Sequence, residues 1–121
     1  MTAAGLQLLL EARALVAEAW CRGAEARDAA GSKVSPWDDQ AASWSVLGAI
    51  VAVLEREASF DRELSLPELA TALYALARLV DSDSLIEWND RPRQTQGNVV
   101  AVLDRAAAEY EENDTFFASL N

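Results

Sequence analysis

An apolar stripe between Leu66 and Val80 constrains the fold of this chain more than any other feature. Its members recur every three or four residues, as on one face of an α-helix. They are Leu66, Leu69, Ala70, Leu73, Leu76, Ala77 and Val80. Just before it, Ser65-Leu66-Pro67-Glu68 has the spacing of a capping box, with the proline in the first turn where its missing N–H does no harm. The pattern predicts a helix that begins at this box.

Three other segments carry a helical pattern. The first, over 6–20, is apolar on two faces, which is typical of a helix sandwiched in a bundle and also of a homodimer interface. The second, over about 38–54, has no charge from Gln40 to Leu54 and is the predicted central helix. Gly48 within it costs about 1 kcal/mol relative to Ala, so we expect close packing by a neighbouring helix there. The last helix follows Thr95.

The buried face of that last helix is predicted at Val99, Val102, Leu103, Ala106 and Tyr110. Phe116, Phe117 and Leu120 are expected to dock back on the body. Residues 22–37 lose the period and predict a long loop with one helical turn near 25–30. Alternating β-branched runs are missing. The predicted fold is all-α: an irregular bundle of four main helices with a short extra turn near Leu85–Trp88, forming a single domain over 1–121.

Charge and composition exclude several classes of protein. Twenty acidic and ten basic residues give a net charge of −10, and no basic stripe is present to neutralise phosphates, so we expect no direct nucleic-acid binding. The uncharged run over 40–54 is shorter than the roughly 20 residues of a membrane span. No secretion signal is recognised, and the single Cys21 excludes an internal disulfide. We therefore expect a cytoplasmic protein without membrane contact.

The sequence contains few of the residue patterns that mark catalytic or metal sites. The chain has no histidine, which removes the usual catalytic triads and zinc sites. Asp81, Asp83 and Glu87 alternate as in a calcium loop, but Ile86 and Pro92 stand where that loop needs Gly and Glu. No metal or cofactor is predicted. Whether the protein is an enzyme stays open, because carboxylates alone could still serve as acids or bases.

The polar loop after the short turn is the strongest candidate site. Of the four tryptophans, Trp20 and Trp44 are expected in the core, whereas Trp37 and Trp88 border loops. Trp88 is the better candidate, because Asn89, Asp90 and Arg91 follow it directly and supply donors and acceptors for a small polar ligand. The alternative is structural: Asn89 and Asp90 make a turn while Trp88 closes the core.

Several short motifs resemble a bacterial and phage family known as domain of unknown function 6197. They are Ala19-Trp20-Cys21-Arg22-Gly23, Ala26-x-Asp28-x-x-Gly31, Ala41-Ala42-x-Trp44-x-x-x-Gly48-Ala49, Trp88-Asn89-Asp90, and Thr95 followed by Val99-Val100-x-x-Leu103-Asp104-x-Ala106. The family has no established activity, so the resemblance implies no catalytic role. It marks Trp88, Asn89, Asp90 and Asp28 as residues to test together.

Two functional hypotheses follow. In the first, the protein is a non-enzymatic binding or regulatory module whose acidic second half contacts a basic partner protein. A negative charge also keeps a small protein in solution, so the charge alone does not decide the matter. In the second, Asp28, Asn89, Asp90 and Arg91 form a small-ligand or enzymatic site against Trp88.

Overall fold

A computed structural model describes residues 4–59 and 66–119, with side chains placed over 4–56 and 67–112. The described elements are α1 (Ala4–Glu18), β1 (Ala26–Arg27), β2 (Lys33–Val34), β3 (Ser43–Trp44), α2 (Val46–Ser59), α3 (Leu66–Ala77), α4 (Leu85–Asn89) and α5 (Gln96–Ser119). This part of the chain is therefore mostly helical. The short extra turn predicted near Leu85–Trp88 is present as α4.

Helix α1 lies at the centre of the described structure and packs against α2, α3, α5 and β3. Its buried residues, spaced by three and four, are Gly5, Leu8, Leu9, Ala12, Leu15 and Val16. Because these side chains meet several neighbours, α1 takes the central position that the sequence predicted for the second helix. Leu10 and Ala17, which are apolar residues of the predicted helix over 6–20, face solvent. A homodimer through this helix stays a prediction.

Helices α1 and α5 run in opposite directions and touch closely. A Cβ placed on Gly5 would lie within 2.6 Å of the Tyr110 ring, so only glycine fits beside that ring. Nearer the other end of α1, Arg13 Nε donates to Asp104 Oδ1 at 2.8 Å. Both side chains of this ion pair are exposed, so its contribution to stability is small. The missing side chain at Gly5 thus lets the Tyr110 ring pack directly on the backbone of α1.

The prediction of a purely α-helical chain is wrong between α1 and α2. Here β1, β2 and β3 form a small antiparallel sheet in the order β2-β1-β3. Ala26 of β1 pairs with Val34 on one side and with Trp44 on the other. Each strand contains two residues, so no alternation of apolar and polar positions develops in the sequence. The predicted bundle of four main helices is accordingly not confirmed as such, because a sheet is part of the fold.

Helix α2 begins at Val46, eight residues later than predicted. Ser45 ends the preceding extended segment, and its Oγ accepts a hydrogen bond from the Gly48 amide at 3.0 Å. A side-chain oxygen in this position satisfies an amide of the first helical turn. Asp38, the predicted start, instead accepts from the Gln40 amide and makes a turn. Strong capping by Ser45 therefore decides where the helix starts.

Gly48 packs against backbone, though not against the helix that was expected. A Cβ at this position would overlap the carbonyl oxygen of Glu25, just before β1. The same oxygen accepts from the Ser45 amide at 3.0 Å. The sheet thus lies directly on the first turn of α2, and a side chain at Gly48 would push it away.

Some sequence predictions lie outside the described residues. They concern Ser65 of the capping box and Leu120, and the predicted docking of Phe116 and Phe117 concerns side chains outside 4–56 and 67–112.

We expect Gly48→Ala to lower the free energy of unfolding by about 1–3 kcal/mol or more, because the clash is with rigid backbone. Gly97→Ala in α5 is the matched control. A Cβ there meets nothing within 4 Å, so that variant should be neutral or slightly more stable. Urea unfolding followed by circular dichroism measures both. Equal effects of the two substitutions would contradict the proposed contact.

Candidate functional site

The loop singled out by the sequence begins in α4, a helix of one turn. Ser84 caps it, with Oγ accepting from the Glu87 amide at 3.2 Å. The turn carries Trp88 and Asn89 into the interior, where they are 4% and 0% exposed. A buried amide side chain must find partners for its oxygen and for its nitrogen. The contacts of Asn89 therefore determine what this site is.

Asn89 joins three separate segments of the chain. Its Oδ1 accepts from the Trp20 indole N–H at 2.8 Å and from the Val46 amide at 3.0 Å. Its Nδ2 donates to the Cys21 carbonyl at 3.1 Å and to Asp90 Oδ1 at 3.0 Å. An asparagine side chain has two donor hydrogens and two acceptor lone pairs, so all four are used. We call this set of contacts the Asn89 junction.

Asp90 adds a further hydrogen bond between the junction and the segment after α1. Its Oδ1 accepts from the Gly23 amide at 3.0 Å as well as from Asn89. Gly23 has φ of +73°, a left-handed conformation that favours glycine, and this orients its amide toward the carboxylate. One oxygen of Asp90 is thus occupied by contacts within the protein.

Arg22 and Gln94 hold the rest of the loop. The Arg22 guanidinium lies 5.1 Å from the centre of the Trp20 ring and donates to the carbonyls of Pro92 and Gln94. The Gln94 side chain is buried and donates to the Trp88 carbonyl at 2.9 Å. The side chains of Arg22 and Gln94 therefore hold the loop backbone at Trp88, Pro92 and Gln94.

Arg91 points away from the junction. It donates to Asp81 Oδ1 at 2.6 Å, and this hydrogen bond lowers the pKa of the fully exposed Asp81 carboxyl below its usual value. A cavity of about 200 Å³ opens beside it, lined by Trp88, Arg91, Arg93, Gln94 and Asn98. Asn89 and Asp90 do not line this cavity.

Asp28 lies elsewhere, in the turn between β1 and β2. Its Oδ1 accepts from the amides of Ala30 and Ser32 at 3.0 and 2.9 Å, which closes the hairpin turn. The structure thus brings Asn89 and Asp90 together by a hydrogen bond, with Trp88 and Arg91 beside them in sequence, while Asp28 bonds within its own loop. A ligand for these five residues stays a prediction.

Sequence reasoning missed several partners of the junction. Trp20 was assigned to the core for its apolar surface, yet its N–H is what meets Asn89. Gly23 and Gln94 carried no separate signal, although a lone glycine after a helix often marks a left-handed turn. Trp37, ranked below Trp88, is the more exposed of the two loop tryptophans, at 56%.

Cys21 is the one nucleophilic thiol of the chain, and it is buried. Burial raises the pKa of this thiol above its ordinary value, and the nearby Asp90 carboxylate acts in the same direction. A hydrogen bond with Ser43 and the charge of Arg27 oppose the shift without cancelling it. Among the described residues, no group of three or more acidic or cysteine side chains is placed to hold a metal ion.

Comparison with known protein families gives a match over most of the chain. A model of a family of unknown function, DUF6197, matches residues 2–109. The chain belongs to DUF6197. No curated protein and no solved structure was found to match it. Within the described part of this DUF6197 chain, every helix is too short or too polar to cross a membrane.

We expect Asn89→Ala to destabilise this DUF6197 protein strongly. The substitution leaves the Trp20 N–H, the Val46 amide and the Cys21 carbonyl without their partner, and each buried unpaired group costs about 1–3 kcal/mol. A loss of at least about 3 kcal/mol should appear in urea unfolding.

Asp90→Asn is the control for this experiment. It keeps a side-chain oxygen for the Gly23 amide and should cost only about 1 kcal/mol. If Asn89→Ala is no more damaging than Asp90→Asn, the junction is not a main source of stability.

Alkylation should reveal the state of Cys21. The raised pKa keeps less of the thiol ionised, so iodoacetamide at about pH 8 should react far more slowly with the folded protein than with the urea-unfolded chain. Equal alkylation rates in the two states would contradict this assignment.

The raised pKa of the Cys21 thiol also makes the free energy of unfolding depend on pH. The contribution is fully present below the pKa of the unfolded chain, about 9.0, and is lost as pH rises through the higher pKa of the folded protein.

Proposed function

We propose that this protein is a non-enzymatic binding module that recognises a basic segment of a partner protein. The proposal is based on which charged side chains have partners within the fold and which remain exposed. At least five of the nine basic side chains that the structure describes are engaged within the chain, and exposed carboxylates without a basic partner remain in the same part of the chain. An acidic surface of this kind attracts basic partners and accelerates their association.

Two arginines serve the backbone. Arg22 donates to the carbonyls of Pro92 and Gln94, and Arg27 donates to those of Arg22 and Gly31. Hydrogen bonds from a guanidinium to carbonyls hold loops in place. These two charges therefore support the loops around the sheet and α4.

Three more arginines are neutralised by acids of the same chain. They form the ion pairs Arg13–Asp104, Arg91–Asp81 and Arg105–Glu109. Together with Arg22 and Arg27, at least five of the nine basic residues that the structure describes thus have internal partners. Each ion pair neutralises one guanidinium and one carboxylate, so the net negative charge of the protein is unchanged.

Several exposed carboxylates have no basic partner among the described residues. Glu18, Asp39 and Glu87 are exposed and form no ion pair with a basic side chain in the described part of the chain. With a net charge of −10, their field extends into solvent over about a Debye length, roughly 10 Å at 0.1 M salt. A segment rich in lysine or arginine matches this surface.

The small-ligand alternative receives less support from the geometry. Asn89 has no hydrogen-bonding capacity left, and Asp28 is engaged in its own turn. Neither residue lines the cavity beside Arg91. A protein-binding function uses surface charge and needs none of these groups to be free.

A labelled peptide rich in lysine and arginine tests the proposal. We expect fluorescence anisotropy to detect binding at about 50 mM salt, and the affinity to fall at least about tenfold by about 300 mM as the charges are screened. The control peptide has glutamine in place of every lysine and arginine and should not bind. Absence of binding at low salt, or an affinity that does not change with salt concentration, would overturn the proposal.

A further inference from the structure

The loop over 35–42, between β2 and β3, forms a groove against α2. The groove has a volume of about 530 Å³, within the range of roughly 300–1,000 Å³ that is typical of binding pockets. Its lining includes Trp37, Asp38, Asp39, Trp44, Glu55 and Arg56. The Asn89 junction does not contribute to it, so this groove, which we call the Trp37 groove, is a separate candidate site.

Four hydrogen bonds hold the loop in one shape. The Trp44 indole donates to the Pro36 carbonyl at 3.1 Å, and the Asp38 amide donates to the Ser35 carbonyl at 3.0 Å. The Asp38 carboxylate accepts from the Gln40 amide at 2.7 Å, and the Asp38 carbonyl accepts from the Ala41 amide at 3.0 Å. A surface that is ordered before binding loses little entropy when a partner docks.

The two tryptophans of the groove have opposite roles. Trp44 is 8% exposed and belongs to the core, whereas Trp37 is 56% exposed. Packing within the described fold explains the burial of Trp44 and leaves about half of the Trp37 surface exposed. A large aromatic surface left in water is unfavourable, and tryptophan is among the residues that most often dominate binding energy in protein interfaces. The exposed surface of Trp37 is therefore available to contact a partner protein.

The charges of the lining select the partner. Asp38, Asp39 and Glu55 bring three carboxylates, against one guanidinium from Arg56. The face of an indole ring attracts cations, with tryptophan the strongest of the aromatic residues. A lysine or arginine side chain combines an apolar stem, which packs on such a ring, with a charged end that pairs with carboxylates. An anionic ligand would meet repulsion in the same groove.

We propose that the Trp37 groove is the docking site for a basic segment of a partner protein, with a lysine or arginine side chain laid across the Trp37 ring toward Asp38 and Asp39. This inference rests on the proposed function and assigns it to one place on the surface.

Three variants of the full chain test the site, all with the lysine- and arginine-rich peptide. Trp37→Ala should weaken binding at least about tenfold, about 1.4 kcal/mol. Asp38→Asn combined with Asp39→Asn should weaken it similarly, because the new amide at position 38 would still offer an oxygen to the Gln40 N–H while both charges are lost. Asp83→Asn combined with Glu112→Gln removes the same net charge away from the groove lining and should weaken binding only slightly.

The results distinguish a failure of the groove assignment from a failure of the proposed function. If the wild-type protein binds the peptide and all three variants bind as tightly as each other, basic recognition stands and the Trp37 groove is not its site. If the wild type does not bind at all, both proposals fail. Thermal unfolding of each variant checks that a lost affinity is not a lost fold, and Trp37→Phe, which keeps an aromatic face, should recover part of the binding.

Discussion

The fold depends on one buried amide. The Asn89 side chain has no exposed surface and bonds the segment after α1, the first residue of α2 and its own neighbour Asp90. Because Asn89 itself is buried, each group that lost its partner there would be costly, so the four contacts favour one arrangement of the three segments.

The sequence predicted the helices whose buried residues recur every three or four positions. Helices α1, α3 and α5 and the short turn α4 all carry capping residues or apolar stripes that depend on local geometry alone. The sheet was not predictable in the same way, because two-residue strands leave no alternation, and the late start of α2 depended on competition between Asp38 and Ser45 for a capping role. Propensity is a weak guide where tertiary contacts decide.

The candidate site shows the same division. The Trp88-Asn89-Asp90 motif could be located from the sequence, since polar residues interrupt two apolar stripes there. Its partners could not, because Trp20 and Val46 lie 69 and 43 residues away and only the fold brings them together. The sequence did separate Trp44, expected in the core, from Trp37, which borders a loop, but it left open whether Trp88 is buried, because exposure is a property of the fold.

The sequence separations within the Asn89 junction also bear on how the chain folds. Asn89 reaches back to residues near the end of α1 and the start of α2, so the first half of the chain cannot complete its interior until the second half has been synthesised. Contacts of such range close large loops and slow the search for the native state. The chain should therefore fold as one cooperative unit. If the chain were cut between the sheet and α4, with Val46 on the first fragment, the Asn89 side chain would be separated from its partners Trp20, Cys21 and Val46.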